Sequence, residues 1–529
     1  MKVKIICLLL ICFIVNNCLA QKENNLFYSE KIIPIYEKNS WDIPETEIDK
    51  YVFSNLRKNG IKPALECSDE VFIRRVYLDL IGKLPENQEV ISFLNDKNPD
   101  KRSSLIDNLL EREDFADYWS MKWCDILRVK SEFPINLWPN AVQAYHKWVL
   151  NSLKENKHYD KFVRELLTSS GSNFYTPPVN FYRAIQGRDP YSITSAVALT
   201  FMGIRFDKLP QKTKDEMSKF FSKVSYKNTL EWKEEIVYFN PEPSETIECT
   251  FPDGKKVKIA SGVDPRIVFA NWLINSKNPW FCKNIVNRIW AYLLGTGIIN
   301  EVDDIRPDNP PSNPGLINYL ENQLVNSNYD LKHIYRLILN SRTYQQSFIP
   351  RTNNPEAKKY FAYYQIKRID AEVLLDILCN IGGDGVEYIS QIPEPYTFIP
   401  KYQKNVLLAD GSITSPFLEM FGRPSRNTGL FSERENKITE VQIRYLLNSS
   451  EIQKKIKSSP YLKRIIRETK GNRKEIIRNI YLFLLSRYPE QSEIDILEKY
   501  FQDGKINLNE GVEDIVWAII NSKEFLYNH

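Results

Sequence analysis

At 529 residues, 43% hydrophobic and 12% aromatic, the chain has a packed protein's composition and is too long for one ordinary core, so two or three domains are expected. Its formal net charge is only +4, two of it from Lys2 and Lys4, which excludes a general nucleic-acid binder with its strong basic excess. Outside the first twenty residues no stretch approaches the roughly 20 apolar residues needed to span a bilayer.

In chain order, residues 1–20 read as a secretory leader. Lys2 and Lys4 form the charged start, Ile5–Val15 the apolar stretch, and Cys18-Leu-Ala20 offers a small residue before polar Gln21. Cleavage after Ala20 places the protein outside the cytoplasm, periplasmic or extracellular. Lipid attachment at Cys18 is the rival reading, against which Asn16 and Asn17 are poor preceding residues. Residues 21–46 are a polar, irregular lead-in. Residues 47–205 form an N-terminal helical domain, with apolar residues at helical spacing as in Leu105, Ile106, Leu109 and Leu110. There Gly82-Lys-Leu-Pro85 ends one helix, and Pro85-Glu-Asn-Gln-Glu89 opens the next.

Residues 206–262 form a connector. Within it, Glu245–Ile259 alternates about Pro252-Asp-Gly254 and predicts a β-hairpin. Helical periodicity returns over 263–529. The fold class is therefore all-α, two helical halves with a small β-hairpin between them. An internal repeat links the halves at a constant offset of 404 residues: Ile73-Arg-x-x-Tyr77-Leu-x-Leu80 with Pro85-Glu86-x-x-Glu89, and Ile477-Arg-x-x-Tyr481-Leu-x-Leu484 with Pro489-Glu490-x-x-Glu493. Each copy is followed by a helix ending in acid-Phe, Asp114-Phe115 and Glu524-Phe525. Asn-Ser pairs at Asn275, Asn340, Asn448 and Asn521 read as helix ends, with Asn in the left-handed region.

Cys67, Cys124, Cys249, Cys282 and Cys379 are far apart and odd in number, which predicts buried apolar residues, not disulfides or a metal site. There is no Cys-x-x-Cys-His and there are only four histidines, so no cofactor is expected and proton transfer would fall to carboxylates. The candidates start in the proline-rich segment Val302–Pro314, whose fixed φ values predict a rigid polar loop. Asp303, Asp304 and Asp308 are candidate catalytic acids there, and Arg306 a candidate ligand-binding residue. The acids lack the calcium-loop pattern, so no metal is expected. Alternatively Arg306 bridges them and pins the loop to Arg288 or a helix end, while Asn313 and Pro314 start the next helix.

In Phe421–Glu435, Arg423, Arg426 and Arg434 suit a carboxylate, sulfate or phosphate. Glu433 is a further candidate acid, or with Glu435 neutralises the arginines internally. Asp125 and Arg128 stand at helical i,i+3 spacing in Trp119-x-x-x-Trp123-x-Asp125-x-x-Arg128 and can pair. Asn136, Trp138, Asn140 and Tyr145 form a polar-aromatic segment suited to a cleft wall. Arg368-Ile-Asp370-Ala-Glu372 opens a helix with acids that capping explains.

The runs Arg74–Gly82, Trp123-Cys-Asp125-x-x-Arg128 and Tyr159–Arg164 resemble the paired domains of unknown function 1549 and 1553, typical of planctomycetes and related bacteria. So do Asp264-Pro-Arg266, Asn287–Trp290, Asp303-Asp304-x-Arg306, Asn309–Pro314, Thr343–Ser347, Arg368–Glu372 and Phe421–Pro424. The likeness covers nearly all of the chain after the leader. The first domain is called cytochrome-associated, but the separate haem domain the family often carries has no counterpart here. The resemblance implies an exported bacterial protein, often from a bacterium rich in polysaccharide-degrading systems. The expected function is binding or processing of an acidic or sulfated glycan. A structural module with an envelope protein partner is the alternative, and a redox partner follows last.

Overall fold

The computed structural model describes residues 32–504 and 506–529; the leader read over 1–20, with Cys18, lies outside the described residues. The fold is predominantly helical, as the periodicity predicts, with three small sheets. One continuous apolar core runs from Ile48 to Leu526 through both helical halves. No helix among the described residues is long and apolar enough to cross a membrane.

The helix α1 (Asp69–Ile81) is buried without a break from Val71 to Ile81, and so it forms a central rod instead of a surface helix. Its two arginines reach into the far half of the chain. Arg74 donates to the carbonyls of Leu484 (2.7 Å) and Phe525 (2.8 Å). Arg75 donates to those of Tyr344 (2.6 Å), Gln346 (2.9 Å) and His529 (3.0 Å), with the Tyr364 ring 3.7 Å away. A buried guanidinium must find its partners inside the protein, and here backbone carbonyls take all but Arg74 Nε and Arg75 Nη2. From residue 32 the lead-in is also tied down: Glu37 pairs with Arg351, and Tyr36 packs on Phe348 and His529.

The repeat is a repeat of structure. The helix α1 ends at Gly82 (φ 59°), and α2 (Asn87–Asn95) opens with a reciprocal Glu86–Glu89 capping box. A later helix, Arg473–Leu485, ends at Ser486 (φ 57°), and the helix Gln491–Asp503 opens with the same box from Glu490 and Glu493. The ion pair closing each copy also matches, Lys83–Asp114 in the first and Arg487–Glu524 in the second.

The Asn-Ser pairs act differently from the expectation. Asn340 and Asn521 are C-caps but not left-handed, Asn448 is the last helical residue, and Asn275 lies beyond its helix. The amides of Asn340, Asn448 and Asn521 instead donate back to the carbonyl four residues earlier, at 2.9, 2.9 and 2.8 Å. After two of them, Ser449 and Ser522 cap the next helix.

The predicted hairpin is present as β4 (Ile247–Thr250) and β5 (Lys256–Ile259), the fourth and fifth strands of the chain, in antiparallel register Ile247↔Ile259. Phe251 at its turn stacks on Phe220 and Trp272, fastening it to helical turns that precede and follow it in the chain. Sequence reading misses a second sheet, in which β1 (Gly171–Ser172), β3 (Glu235–Phe239) and β2 (Val224–Asn228) lie side by side in that order. It also misses the pairing of β6 (Lys367–Arg368) with β7 (Tyr527–Asn528), whose partners are far apart in the chain. The five cysteines among the described residues are buried and free.

Gly82 and Ser486 share a backbone conformation but not a neighbourhood. A Cβ at Gly82 would stand 2.5 Å from the Tyr118 ring. Gly82→Ser is therefore expected to cost on the order of 2–4 kcal/mol through left-handed strain and overpacking. Ser486→Gly should change stability by less than about 1 kcal/mol. Urea midpoints of the two variants against wild type check this.

Candidate functional site

The loop Val302–Pro314 is a clamp built of ion pairs. Asp303 pairs with Arg288 (2.6 Å) and accepts the Phe431 backbone N–H (2.6 Å). Asp304 pairs with Lys208 (2.6 Å) and Arg306 (2.8 Å), while Arg306 also reaches Asp308 (3.0 Å). Ile305 N–H donates to the Gly203 carbonyl, and Asn313 caps the helix Pro314–Asn326. Asp303 is 3% exposed, whereas the Asp308 side chain is 72% exposed, so the three acids do not converge on one ligand.

The arginines of the second constellation are neutralised, but not by Glu433 and Glu435. Arg434 pairs with Asp125 (2.7 Å), Glu372 (2.7 Å) and Asp370 (3.4 Å). Arg426 pairs with Asp125 (2.9 Å) and donates to the Ala409 carbonyl; Arg423 pairs with Glu372 (3.3 Å) and donates to the carbonyls of Asp410 and Ile413. Glu433 turns away to accept from the Asn427, Thr428 and Gly429 backbone and the hydroxyls of Ser425 and Thr428.

The expected Asp125–Arg128 pair does not form. The helix α3 (Glu113–Ile126) stops before Arg128, which takes φ 58° and donates to Ile126 O and Thr200 Oγ1. Tyr145 is fully buried, so it is not a cleft wall.

A cavity of about 390 Å³ opens beside this network. Trp119, Tyr118, Tyr292 and Phe431 supply its aromatic lining. On its wall Lys122 meets Asp370 at 2.6 Å, and Tyr118 Oη donates to the same carboxylate at 2.8 Å. Asp370 precedes the helix α4 (Ala371–Gly382) in the cap position, yet makes no side-chain cap bond. The capping explanation therefore fails for it. Asp79 is held by Lys367 (2.8 Å), Asn528 (2.8 Å) and the hydroxyls of Tyr344 and Tyr364 (2.9 Å each).

Burial opposes ionisation of Asp370, but Lys122 and Arg434 outweigh it and hold the carboxyl well below the usual range. Glu372 is held low likewise, burial opposing and Arg434 and Arg423 prevailing. Burial lowers Lys122, and Asp370 only partly restores it.

Of the residues the sequence singled out, the cavity takes in Asp303 and Arg434. Asp304, Asp308, Arg306, Arg423, Arg426, Asp125, Arg128 and Glu433 lie outside its lining. Sequence reasoning missed Lys122, Lys367 and Arg205, held Asp79 only within the run Arg74–Gly82, and read Asp370 as a helix-start acid. One signal was available: Lys122 interrupts the apolar face of α3, a buried charge that demands a partner. A larger cavity of about 890 Å³ lies where the two repeats meet. Its half-buried Asp376 accepts from the backbone of Asn405 and Val406 and anchors that loop, and desolvation pushes it up to about 6.

A family model described as protein of unknown function DUF1549 (PSCyt2) matches residues 47–226, and one described as protein of unknown function DUF1553 (PSD1) matches 265–501. The chain is a paired DUF1549–DUF1553 protein. No curated protein and no solved structure matches it. In this DUF1549–DUF1553 protein the smaller cavity lies between the matched segments: Asp79, Tyr118, Lys122 and Arg205 come from the first, Asp303, Lys367, Asp370 and Arg434 from the second.

Because Asp370 and Glu372 titrate below their unfolded values of about 3.9 and 4.3, the unfolded chain binds more protons in that range. Their stabilisation is complete above it and lost as pH falls through the folded values. The melting temperature should therefore drop steeply below about pH 4. Asp370→Asn strands the Lys122 ammonium and should cost about 3 kcal/mol or more near neutrality, with a shallower acid-side slope. A neutral-pH melting curve that Asp370→Asn leaves unchanged would contradict this account.

Proposed function

We propose that this protein binds, or binds and processes, an acidic or sulfated glycan in the cavity between its two matched segments. The observation that carries the reading is charge left over after pairing. Arg205, Lys358 and Lys437 line the cavity, and among the described residues their side chains have no hydrogen-bond or ion-pair partner; the Arg205 Nε is buried without one. Two lining carboxylates, Glu301 and Glu435, also lack an ion pair among the described residues, Glu435 taking only the Lys437 N–H, so three unpaired cations against two acids favour an anion. Aromatic walls with a few convergent polar groups suit a sugar ring.

This moves anion recognition from Arg423, Arg426 and Arg434, whose donors are spent internally, to Arg205. Lys122, Tyr118 and Asp370 form a connected set on the same wall that could hold or pass a proton in a processing step. The leader read over 1–20 places this activity outside the cytoplasm, in keeping with use of extracellular polysaccharide. A second reading, a structural module with an envelope protein partner, is favoured by that same internal saturation of the arginine cluster.

Calorimetric titration with uronic-acid and sulfated oligosaccharides and a neutral control tests the proposal. Acidic sugars should bind and neutral ones should not, and Arg205→Ala should weaken binding at least tenfold, with affinity falling as salt rises. No response of the wild-type protein to any acidic sugar would leave the structural module standing.

A further inference from the structure

The cavity between the matched segments gathers side-chain atoms that are buried without a hydrogen-bond partner. Trp119 Nε1, Arg205 Nε and Arg368 Nε are the donors among them, and Asn436 Oδ1 and Asn528 Oδ1 the acceptors. Burying a polar atom unpaired is costly, so such a gathering calls for contents that answer it.

The donors suit an anion or a hydroxyl oxygen, and the acceptors are more selective. Asn528 is 4% exposed, and its Nδ2 donates to Asp79 Oδ1 at 2.8 Å. Lys367 holds the same oxygen of Asp79, and the hydroxyls of Tyr344 and Tyr364 hold the other. Asn436 repeats the arrangement, its Nδ2 donating to Asp370 Oδ1 at 3.3 Å. Lys122 and Tyr118 hold the second oxygen of that carboxylate. Turning either amide over would set its oxygen against a carboxylate oxygen, so each Oδ1 is locked as an acceptor. Both asparagines line the cavity, and the missing donors belong to whatever fills it.

We propose that Asn528 and Asn436 read free hydroxyl groups of the bound acidic sugar, so that the cavity selects a uronic acid with unsubstituted hydroxyls over a fully sulfated chain. The inference rests on the acidic-glycan reading of this cavity and names the sugar within it. A uronic acid brings a carboxylate for Arg205, Lys358 and Lys437, and hydroxyls that both donate and accept. Inorganic anions and persulfated sugars bring no donor, and the same three side chains oppose a cation. Asp79 and Asp370 are positioning residues in this role, holding the amides by their Nδ2 groups.

A volume of about 390 Å³ is at the lower end for ligand pockets, so the probe is digalacturonate. Calorimetry compares it with its monodeoxy analogues and its persulfated form, in wild type, Asn528→Ala and Asn436→Ala. Circular dichroism checks folding, and half-buried Asn436 keeps the test decisive should Asn528→Ala unfold. Wild type should bind at least one monodeoxy analogue about tenfold more weakly than the parent, and the persulfated form more weakly still. One asparagine variant should lose the parent's advantage over that analogue, because the deleted hydroxyl no longer has a partner. Equal binding of every monodeoxy analogue by wild type would mean that water satisfies the amides, and overturns the inference with the acidic reading intact. So do a deoxy penalty that persists in both variants and a preference for the persulfated form. No binding of digalacturonate or of any other acidic sugar overturns the acidic reading itself, and this inference with it.

Discussion

Arg434 is enclosed by the carboxylates of Asp125, Asp370 and Glu372, with every one of these side chains a tenth exposed or less. Charges taken out of water carry a desolvation cost of several kcal/mol each, so such a cluster holds only where geometry and hydrogen bonds are nearly complete. Arg426 and Arg423 extend the network to the Asp410 turn, and Lys122 and Tyr118 extend it to α3. Three chain segments that are remote in sequence, around Tyr118–Asp125, Asp370–Glu372 and Asp410–Arg434, are thereby fixed relative to one another. The cavity is the space this network leaves between them. Its floor is rigid for an electrostatic reason, and the unspent charge is confined to its edge.

The loop at Val302–Pro314 plays a matching part on the other side. Ile305 and Asp304 hold Gly203 and Lys208, the residues that bracket Arg205, and Asp303 holds both Arg288 and the Phe431 backbone. The density of charge and proline in that segment is thus accounted for by positioning. Its residues shape the place where a ligand would sit, and most of them would not touch it.

What the sequence made legible was what depends on neighbours a few residues away. The helices, the Pro-marked helix starts at 85–89 and 489–493, the Asn313 cap and the Asp-Gly hairpin all have causes within a turn or two of the chain. What stayed hidden was the direction in which polar side chains turn when several local uses compete. Asp370 could cap its helix, and Asp125 could pair one turn on with Arg128. Both choose partners hundreds of residues away, because a buried ammonium or guanidinium gains more from a carboxylate than a helix end does. The two-residue strands β1, β6 and β7 were invisible for the same reason, since pairing, not propensity, makes them.

Arg75 and the carbonyl of His529 are separated by 454 positions, and Arg74 spans a similar gap to Phe525. The central rod of the N-terminal half therefore carries two guanidiniums whose acceptors lie in a segment hundreds of residues further along the chain. Until that segment arrives, burying α1 would strand both charges, so early collapse around it is penalised. Loops of this length must be closed before such contacts can form, which delays the burial of α1. The N-terminal helical half is thus no self-sufficient unit: the acceptors for its central charges are backbone carbonyls of the other half.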